Sequence, residues 1–115
     1  MKSTKYVQIY TTAGSFEEAR KIAETLLKEK LAACVQITKI KSLYTWKGKI
    51  EESEEFLLII KSKDETFSEV SQKIEEIHSY EIPEIIAVPI VNGNEGYLKW
   101  IDESIKKSND TNSFK

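Results

Sequence analysis

AACVQITKIKSLYTWKGKIEESEEFLLIIKS (residues 32–62) decides the fold of this 115-residue chain, because two strand-like stretches in it meet at a very short joint, Lys47-Gly48-Lys49. Gly48 can adopt the positive φ that a tight hairpin needs. Each arm has about 12 residues and, at ~3.3 Å per residue, reaches roughly 40 Å, whereas an ordinary strand has about 5–6 residues. A domain of this length cannot cover such a hairpin with its own helices. We therefore expect the hairpin to project and to pack against another chain.

Length and composition predict one domain, residues 1–107, followed by a flexible polar tail, residues 108–115. Apolar residues make up 40% of the chain, which can build a core without disulfides or a structural metal. Charged residues make up 31%, but the net charge is only −2 and Arg20 is the only arginine. This balance predicts no nucleic-acid partner and no membrane partner.

The compartment is predicted from one cysteine and from the absence of targeting signals. Cys34 has no second cysteine for an intrachain disulfide, so a reducing compartment is expected, and in its apolar setting it is typical of a small buried hydrophobe. The first residues show no apolar segment before a cleavage site, and no apolar run approaches the ~20 residues that span a bilayer. We expect a soluble, cytoplasmic protein.

Two S/T-x-x-E sequences predict helix starts. Ser15 with Glu18, and Thr66 with Glu69, form capping boxes, and apolar residues recur at helical spacing after each. Pro83 keeps the residue before it extended, ahead of the last strand. The predicted elements are a strand at 5–12, a helix at 16–30, the two hairpin strands, a helix at 65–78, a strand at 84–91, and a short helix carrying Tyr97, Trp100, Ile101 and Ile105.

This order predicts an α+β fold, the ferredoxin-like βαββαβ sandwich with one antiparallel sheet, an extra C-terminal helix and a long hairpin between the second and third strands. Residues 56–60 and 85–90 are continuously apolar, although strands with one solvated face alternate. Helices cover only one face, so we expect the other face to pack against copies of the same chain. The alternative is that these are central strands with tolerated apolar surface residues.

Four local sequences support a family assignment: LAACV (31–35), LYTWKGKIEESEEFLLIIK (43–61), HSYEIPEIIAVPI (78–90) and GYLKWI (96–101). Together, in this order, they resemble the CutA family, the divalent-cation tolerance proteins. The resemblance covers nearly all of residues 6–106. It implies a homotrimer of ferredoxin-like subunits, similar in outline to PII-type signalling proteins, in which the long hairpin packs against a neighbour. Family members are linked to tolerance of copper and other divalent metals, and animal relatives to acetylcholinesterase anchoring.

His78 is the only histidine and ends the second predicted helix. It is either a capping or packing histidine that bonds terminal carbonyls, or a metal ligand, although copper and zinc sites need three or four ligands. Some bacterial relatives have a cysteine at the end of the first strand and a histidine pair at the end of the second helix. Here Thr11 occupies the cysteine position and Ile77 that of the other histidine, so only His78 carries over. We expect no required cofactor and, at most, a weakly bound divalent ion such as Cu²⁺.

A polar cleft is predicted beside His78. Tyr80, Glu81 and Glu84 lie close together in the sequence, and the resemblance implies that they sit near a subunit boundary. Aromatic rings at interfaces usually supply packing and one polar contact each. The predicted trimer anchors are therefore four aromatic residues, Tyr44, Trp46, Tyr97 and Trp100.

An acidic run opens the third strand. With the two-residue period of a strand, Glu52 and Glu54 share one face, and Glu51 and Glu55 share the other. Such a pair can hold a hard cation loosely through its oxygens. Alternatively, the run is a solvated edge, or it pairs with the lysines across the hairpin: Lys39, Lys41, Lys47 and Lys49.

The resemblance predicts a trimeric binding or regulatory protein and not an enzyme. The loop at 12–15 lacks the arginine with which acylphosphatases of this topology bind phosphate, and no serine or cysteine has a base partner. An RNA-binding role needs basic residues on the central strands, whereas the third strand begins acidic. The remaining alternative is a structural or PII-like scaffold that acts through an unknown protein partner without specific metal binding.

Overall fold

The computed structural model describes residues 5–107, so the predicted tail at 108–115 lies outside the described residues. The elements follow the predicted order, with a single 3-10 turn at Asp64–Thr66 before the second helix. They are β1 (Tyr6–Ala13), α1 (Phe16–Lys28), β2 (Cys34–Trp46), β3 (Lys49–Lys63), α2 (Phe67–Ile77), β4 (Ile86–Pro89) and α3 (Glu95–Ser104).

The four strands form one sheet in the order β2-β3-β1-β4, and every neighbouring pair is antiparallel. This order is that of the ferredoxin-like βαββαβ sandwich, so the predicted fold class is confirmed. Among residues 5–107, no helix combines the length and apolar character that crossing a bilayer requires.

The long hairpin forms as predicted, with strands of 13 and 15 residues. Trp46 pairs with Lys49, so the turn has two residues, Lys47 at φ +53° and Gly48 at φ +78°. Two successive positive φ values match the right-handed twist of the flanking strands. β1 stops pairing at Phe56 of β3, so the outer half of the hairpin extends beyond the rest of the sheet.

The core lies between one face of the sheet and the two helices α1 and α2. Alternate residues of β1 and β3 point to this face, which buries Ile9 and Leu58 against Ile22 of α1 and Ile74 of α2. Burying a side chain of this size contributes about 1.5–3 kcal/mol. This core therefore supplies the rigid support from which the hairpin projects.

The N-cap of the predicted capping box forms at α1 and not at α2. Ser15 caps α1, since its Oγ accepts the backbone N–H of Glu18 at 3.1 Å. The Thr66 hydroxyl makes no capping bond, because the 3-10 turn before α2 directs it back to the Lys63 carbonyl, 2.8 Å away. It also lies 2.9 Å from the Ser62 hydroxyl, in a buried pair.

Three predicted elements are also longer than those observed, and one of them is α2, predicted over 65–78, which covers Phe67–Ile77. α1 ends at Lys28, because Lys30 adopts φ +57° and the Leu31 N–H donates to the Leu26 carbonyl, which closes the helix in a Schellman motif. β4 covers only Ile86–Pro89, where it pairs with β1 at the edge of the sheet. Tertiary pairing, and not the apolar run at 85–90, sets its length.

α3 packs at the end of β3. Asn94 caps it, with its side-chain oxygen accepting the Tyr97 N–H at 2.7 Å. Ile101 is fully buried, and the Lys63 ammonium donates to the Asp102 carboxylate at 2.9 Å. Burial of Lys63 opposes its charge, but the hydrogen bonds and charges of its acidic partners outweigh this and raise its pKa.

The face of the sheet opposite the core is apolar at β4, as expected from the sequence, whereas Gln8, Gln36 and Lys61 make its other strands partly polar. Ile86 pairs with Tyr10, and Val88 with Gln8, on the side away from Ile9. Ile86 and Val88 are exposed in the isolated chain.

Candidate functional site

An open cleft of about 1010 Å³ lies between the long hairpin and the segment that follows α2, residues 78–84. The hairpin supplies one wall, and β1 contributes Thr12. The structure thus brings the predicted residues Tyr80, Glu81 and Glu84 into one cleft. The carboxylates that line it are Glu51, Glu55, Glu81 and Glu84.

Two of the four predicted aromatic anchors also line this cleft. Tyr44 and Trp46 do so from the outer part of β2, together with the apolar side chains of Leu43 and Ile82. Trp100 lies elsewhere, on α3, with its ring centroid 5.5 Å from that of Tyr97. The Tyr44 hydroxyl is 3.0 Å from Ser53 Oγ across the hairpin.

Tyr80 connects the segment after α2 to the hairpin. Its hydroxyl donates to Glu55 Oε2 at 2.7 Å, and the Ser42 hydroxyl donates to Glu55 Oε1 at 2.7 Å. Burial of the phenol, together with its hydrogen bond to Glu55, raises the pKa of Tyr80 to about 12. The phenol therefore stays protonated near neutral pH and remains a hydrogen-bond donor.

The path of Tyr80 depends on Gly14. A Cβ at Gly14 would lie 3.2 Å from the Tyr80 hydroxyl oxygen, a tight contact. The missing side chain at this position therefore leaves room for the phenol to reach Glu55.

His78 follows α2, and its side chain is fully buried. Its Nε2 lies 2.6 Å from the Thr12 carbonyl and therefore donates to it, while Nδ1 accepts the backbone N–H of Tyr80 at 3.1 Å. It is thus a packing histidine that bonds a strand carbonyl and not the carbonyls at the end of a helix. Its role as a metal ligand stays a prediction, and it would require one ring nitrogen to leave its present partner.

Glu18 fixes the same segment from the side of α1. The Ser79 backbone N–H donates to its Oε2 at 2.7 Å, and the Ser79 hydroxyl donates to its Oε1 at 3.1 Å. Partial burial opposes ionisation, but the hydrogen bonds from Ser79, with the nearby His78, lower the pKa of Glu18. The carboxylate predicted to complete a capping box therefore binds a residue that lies 61 positions away.

The other two positions of the family copper set do not supply usable ligands. Thr11 is fully buried, and its hydroxyl has no hydrogen-bond partner among the described residues. Ile77 packs against the core. Within residues 5–107, no three side chains of His, Cys, Asp or Glu cluster closely enough to hold a metal ion.

The acidic run of β3 divides as its period predicts. Glu54 pairs with Lys39 at 3.3 Å and Glu52 with Lys41 at 3.4 Å, both as exposed ion pairs that contribute little stability. Glu51 and Glu55, on the alternate positions, line the cleft instead. This alternation was the one signal in the sequence for placing Glu55 at the site. No local pattern indicated its bond to Tyr80.

Cys34 is half-buried at the start of β2 and lies beside Tyr97 of α3. Burial and the neighbouring thiol raise the pKa of Tyr97. This contact links α3 to the edge strand and lies outside the cleft.

Comparison with known proteins identifies the family. The model of the CutA1 divalent ion tolerance protein family matches residues 7–104. The divalent-cation tolerance protein CutA of Archaeoglobus fulgidus is 50% identical over 98 residues, which cover 85% of this chain and 96% of that protein. The solved structure of that organism's CutA, named there as periplasmic, superposes with a TM-score of 0.86 at 48% identity, covering 88% of this chain and 99% of that one. The crystal structure of CutA1 from Oryza sativa gives a TM-score of 0.88 at 36% identity, covering 91% and 97%. The chain therefore belongs to the CutA1 family of divalent ion tolerance proteins.

Proposed function

We propose that this protein serves divalent-cation tolerance as a homotrimer without catalytic activity, which binds metal ions or small ligands weakly in clefts between its subunits. A relative that is 50% identical over 98 residues is named for tolerance of divalent cations. The observation that carries the proposal is the cleft itself. Its carboxylates Glu51, Glu81 and Glu84 form no ion pair with a described residue, so their charge is available to a ligand.

The homotrimer is supported by apolar surface that the isolated chain leaves in water. Leu43, Trp46 and Ile50 near the end of the hairpin are 64%, 60% and 76% exposed, and Ile82 beside the cleft is 88% exposed. Large apolar side chains exposed on a projecting hairpin are typical of an interface. Light scattering after size exclusion tests the assembly, and a stable monomer at micromolar concentration contradicts it.

The carboxylate oxygens of the cleft are ligands of the type that hard divalent cations prefer, but no three of them among the described residues cluster closely enough to hold an ion, so the proposal is limited to loose binding. The copper set that the family resemblance implies does not fit this chain, because Thr11 presents a buried hydroxyl and Ile77 has no donor atom. Copper therefore enters the proposal only through His78. Both nitrogens of that imidazole have protein partners, which makes tight copper binding there unfavourable.

Calorimetric titration with Cu²⁺, Zn²⁺ and Mg²⁺ tests the metal part of the proposal. We expect weak binding that is reduced by the double substitution Glu81→Gln/Glu84→Gln and little changed by His78→Gln, which retains a polar side chain in the buried site. Thermal unfolding of each variant checks that the fold persists. If His78→Gln alone abolishes metal binding while the fold stays intact, His78 and not the carboxylates is the metal ligand.

A reducing compartment such as the cytoplasm belongs to the same proposal and rests on the single Cys34. Fractionation of cells that produce the tagged protein tests it.

A second candidate function is that of a regulatory scaffold acting through an unknown protein partner. The exposed aromatic pair Tyr97 and Trp100 on α3 favours it, because such rings are enriched in protein interfaces. The calorimetric titrations distinguish the scaffold from the metal-binding or ligand-binding protein. A stable trimer to which no cation or small ligand binds at millimolar concentration favours the scaffold.

A further inference from the structure

Residues 91–93 form a short linker between β4 and α3 that lies outside any helix or strand. The residue that follows the linker, Asn94, caps α3. Within the linker, the Asn92 side chain and the Gly93 N–H form no hydrogen bond with another described residue, and both residues are exposed. The side-chain amide of Asn92 and the backbone nitrogen that follows it are therefore both accessible for reaction.

The packing of α3 accounts for the glycine after Asn92. A Cβ at Gly93 would lie 3.0 Å from Leu98 Cδ2 and 3.1 Å from Leu98 Cγ, so a larger residue would force the leucine side chain to move. Because it has no Cβ, Gly93 also presents its backbone nitrogen with little steric hindrance. The residue that the contact with α3 favours at this position is thus the one that shields the preceding asparagine least.

Asn94, two residues later, has the opposite environment. Its side-chain oxygen accepts the Tyr97 N–H at 2.7 Å, as is usual for asparagine at a helix N-cap. The residue after it, Glu95, has a side chain and is the first residue of α3. The Asn94 amide is therefore engaged in the cap, whereas the Asn92 amide has no such bond.

We propose that Asn92 is a site of spontaneous deamidation, a slow modification that changes the charge of the protein as it ages. Asparagine is among the thermolabile residues of proteins. The Gly93 nitrogen, after it loses its proton to a base from the solvent, attacks Cγ of Asn92. A C–N bond forms, the bond from Cγ to the side-chain nitrogen breaks, and that nitrogen leaves as ammonia. Water then opens the cyclic imide at one of its two carbonyls, which gives aspartate or isoaspartate.

The two products differ in their effect on α3. Both add one negative charge to a chain whose net charge is −2. A carboxylate near the N-terminus of a helix interacts favourably with the helix dipole, so the aspartate is compatible with the fold. Isoaspartate instead carries the main chain through the former side chain and adds one main-chain atom before Gly93. Because Gly93 packs closely on Leu98, we expect this product to displace the start of α3.

The linker is separate from the surface assigned to the homotrimer. The residues whose exposure supports that assembly lie on the hairpin and beside the cleft: Leu43, Trp46, Ile50 and Ile82. None of them belongs to residues 91–93. We therefore expect deamidation in the assembled protein, which is the form to test.

Ageing of the full-length protein in its native assembly tests the proposal. The protein is kept at physiological temperature in neutral and in mildly acidic buffer, and peptide mapping by mass spectrometry follows the conversion of each amide to an acid. We expect Asn92 to lose its amide, faster at the higher pH because the attack needs a deprotonated nitrogen, while Asn94 keeps its own. Methylation by a protein isoaspartyl methyltransferase detects the isoaspartate product in the same peptide.

Two variants serve as matched controls. Asn92→Gln should keep its amide, because the longer side chain forms the cyclic imide much less readily. Asn92→Asp carries the new charge without the extra main-chain atom, so the amides of α3 should exchange with solvent faster in the aged wild type than in this variant. Equal exchange in the two proteins would overturn the predicted effect on α3.

Retention of the Asn92 amide in the folded assembly overturns the inference. Its loss from protein unfolded in guanidinium chloride would then show that the fold protects the linker. Loss of the amide from Asn94 as fast as from Asn92 also overturns the inference, since the cap would then give no protection.

Discussion

Tyr80 and Glu55 lie 25 residues apart in the chain and are joined by a 2.7 Å hydrogen bond from the phenol to the carboxylate. The bond connects the segment after α2 to the long hairpin, and the cleft lies between them. Because Ser42 holds the other oxygen of Glu55, the carboxylate has a fixed orientation in the wall of the cleft.

Tyr80→Phe should lower the free energy of unfolding by about 1 kcal/mol, the usual net contribution of such a hydrogen bond. Urea unfolding at one fixed protein concentration measures it, since the stability of an oligomer depends on concentration. Tyr44→Phe is the matched control, because its hydroxyl meets only the neutral Ser53 hydroxyl at 3.0 Å. An effect of Tyr44→Phe as large as that of Tyr80→Phe would argue against the role given to Glu55.

Glu18 should contribute stability that depends on pH. Its pKa is lower in the folded protein than its ordinary value of 4.5, so the unfolded state binds more protons between these two values. The contribution is therefore complete above about pH 4.5 and is lost as pH falls through the folded pKa.

We expect the difference in unfolding free energy between wild type and Glu18→Gln to be largest near neutral pH and to shrink below pH 4.5. Unfolding curves at a series of pH values measure it. Glu17→Gln, one position earlier in α1, lacks the contacts with Ser79 and serves as control. A difference that stays constant over the whole pH range contradicts the assignment.

Thr11→Val should stabilise the protein by about 1 kcal/mol, because it replaces a buried hydroxyl that has no partner with a methyl group of similar size. Thr66→Val is the matched control and should destabilise by about 1–2 kcal/mol, since the buried Thr66 hydroxyl bonds both the Lys63 carbonyl and the Ser62 hydroxyl. Thermal and urea unfolding of the pair measure the two effects. Destabilisation by Thr11→Val would mean that its hydroxyl has a partner in solution.

Gly48→Ala should destabilise the hairpin turn by about 1 kcal/mol, because Gly48 has φ +78° and a Cβ there is strained even in open space. Gly48→Asn should lower stability less, since asparagine tolerates the left-handed region better. Unfolding of both variants, with their oligomeric state, tests this. If wild type, Gly48→Ala and Gly48→Asn are equally stable, the turn does not require a positive φ at Gly48.

Local patterns were sufficient for most of the fold. Helical spacing after Ser15, β-branched strands, and Gly48 between two long arms predict the element order, and with it the sheet topology. They failed where partners distant in sequence decide the outcome. Thr66 looks like a cap until the 3-10 turn points its hydroxyl at Lys63, and the last strand is only as long as its pairing with β1.

The site was predicted in parts. The resemblance and the strand period grouped Tyr80, Glu81 and Glu84, and placed Glu51 with Glu55 on one face. No pattern indicated that Ser42 and Tyr80 share Glu55, because this depends on where the hairpin and the segment after α2 meet.

By itself, the sequence determined the α+β architecture, the projecting hairpin and the family. The reason is that periodicity, turn residues and short sequence motifs are properties of neighbouring positions. Only the tertiary structure decided that His78 has both nitrogens bonded within the fold and that the unpaired carboxylates face a common cleft. The physical reason is that hydrogen bonds and electrostatic fields act over distances of a few ångströms in space, whatever the separation along the chain.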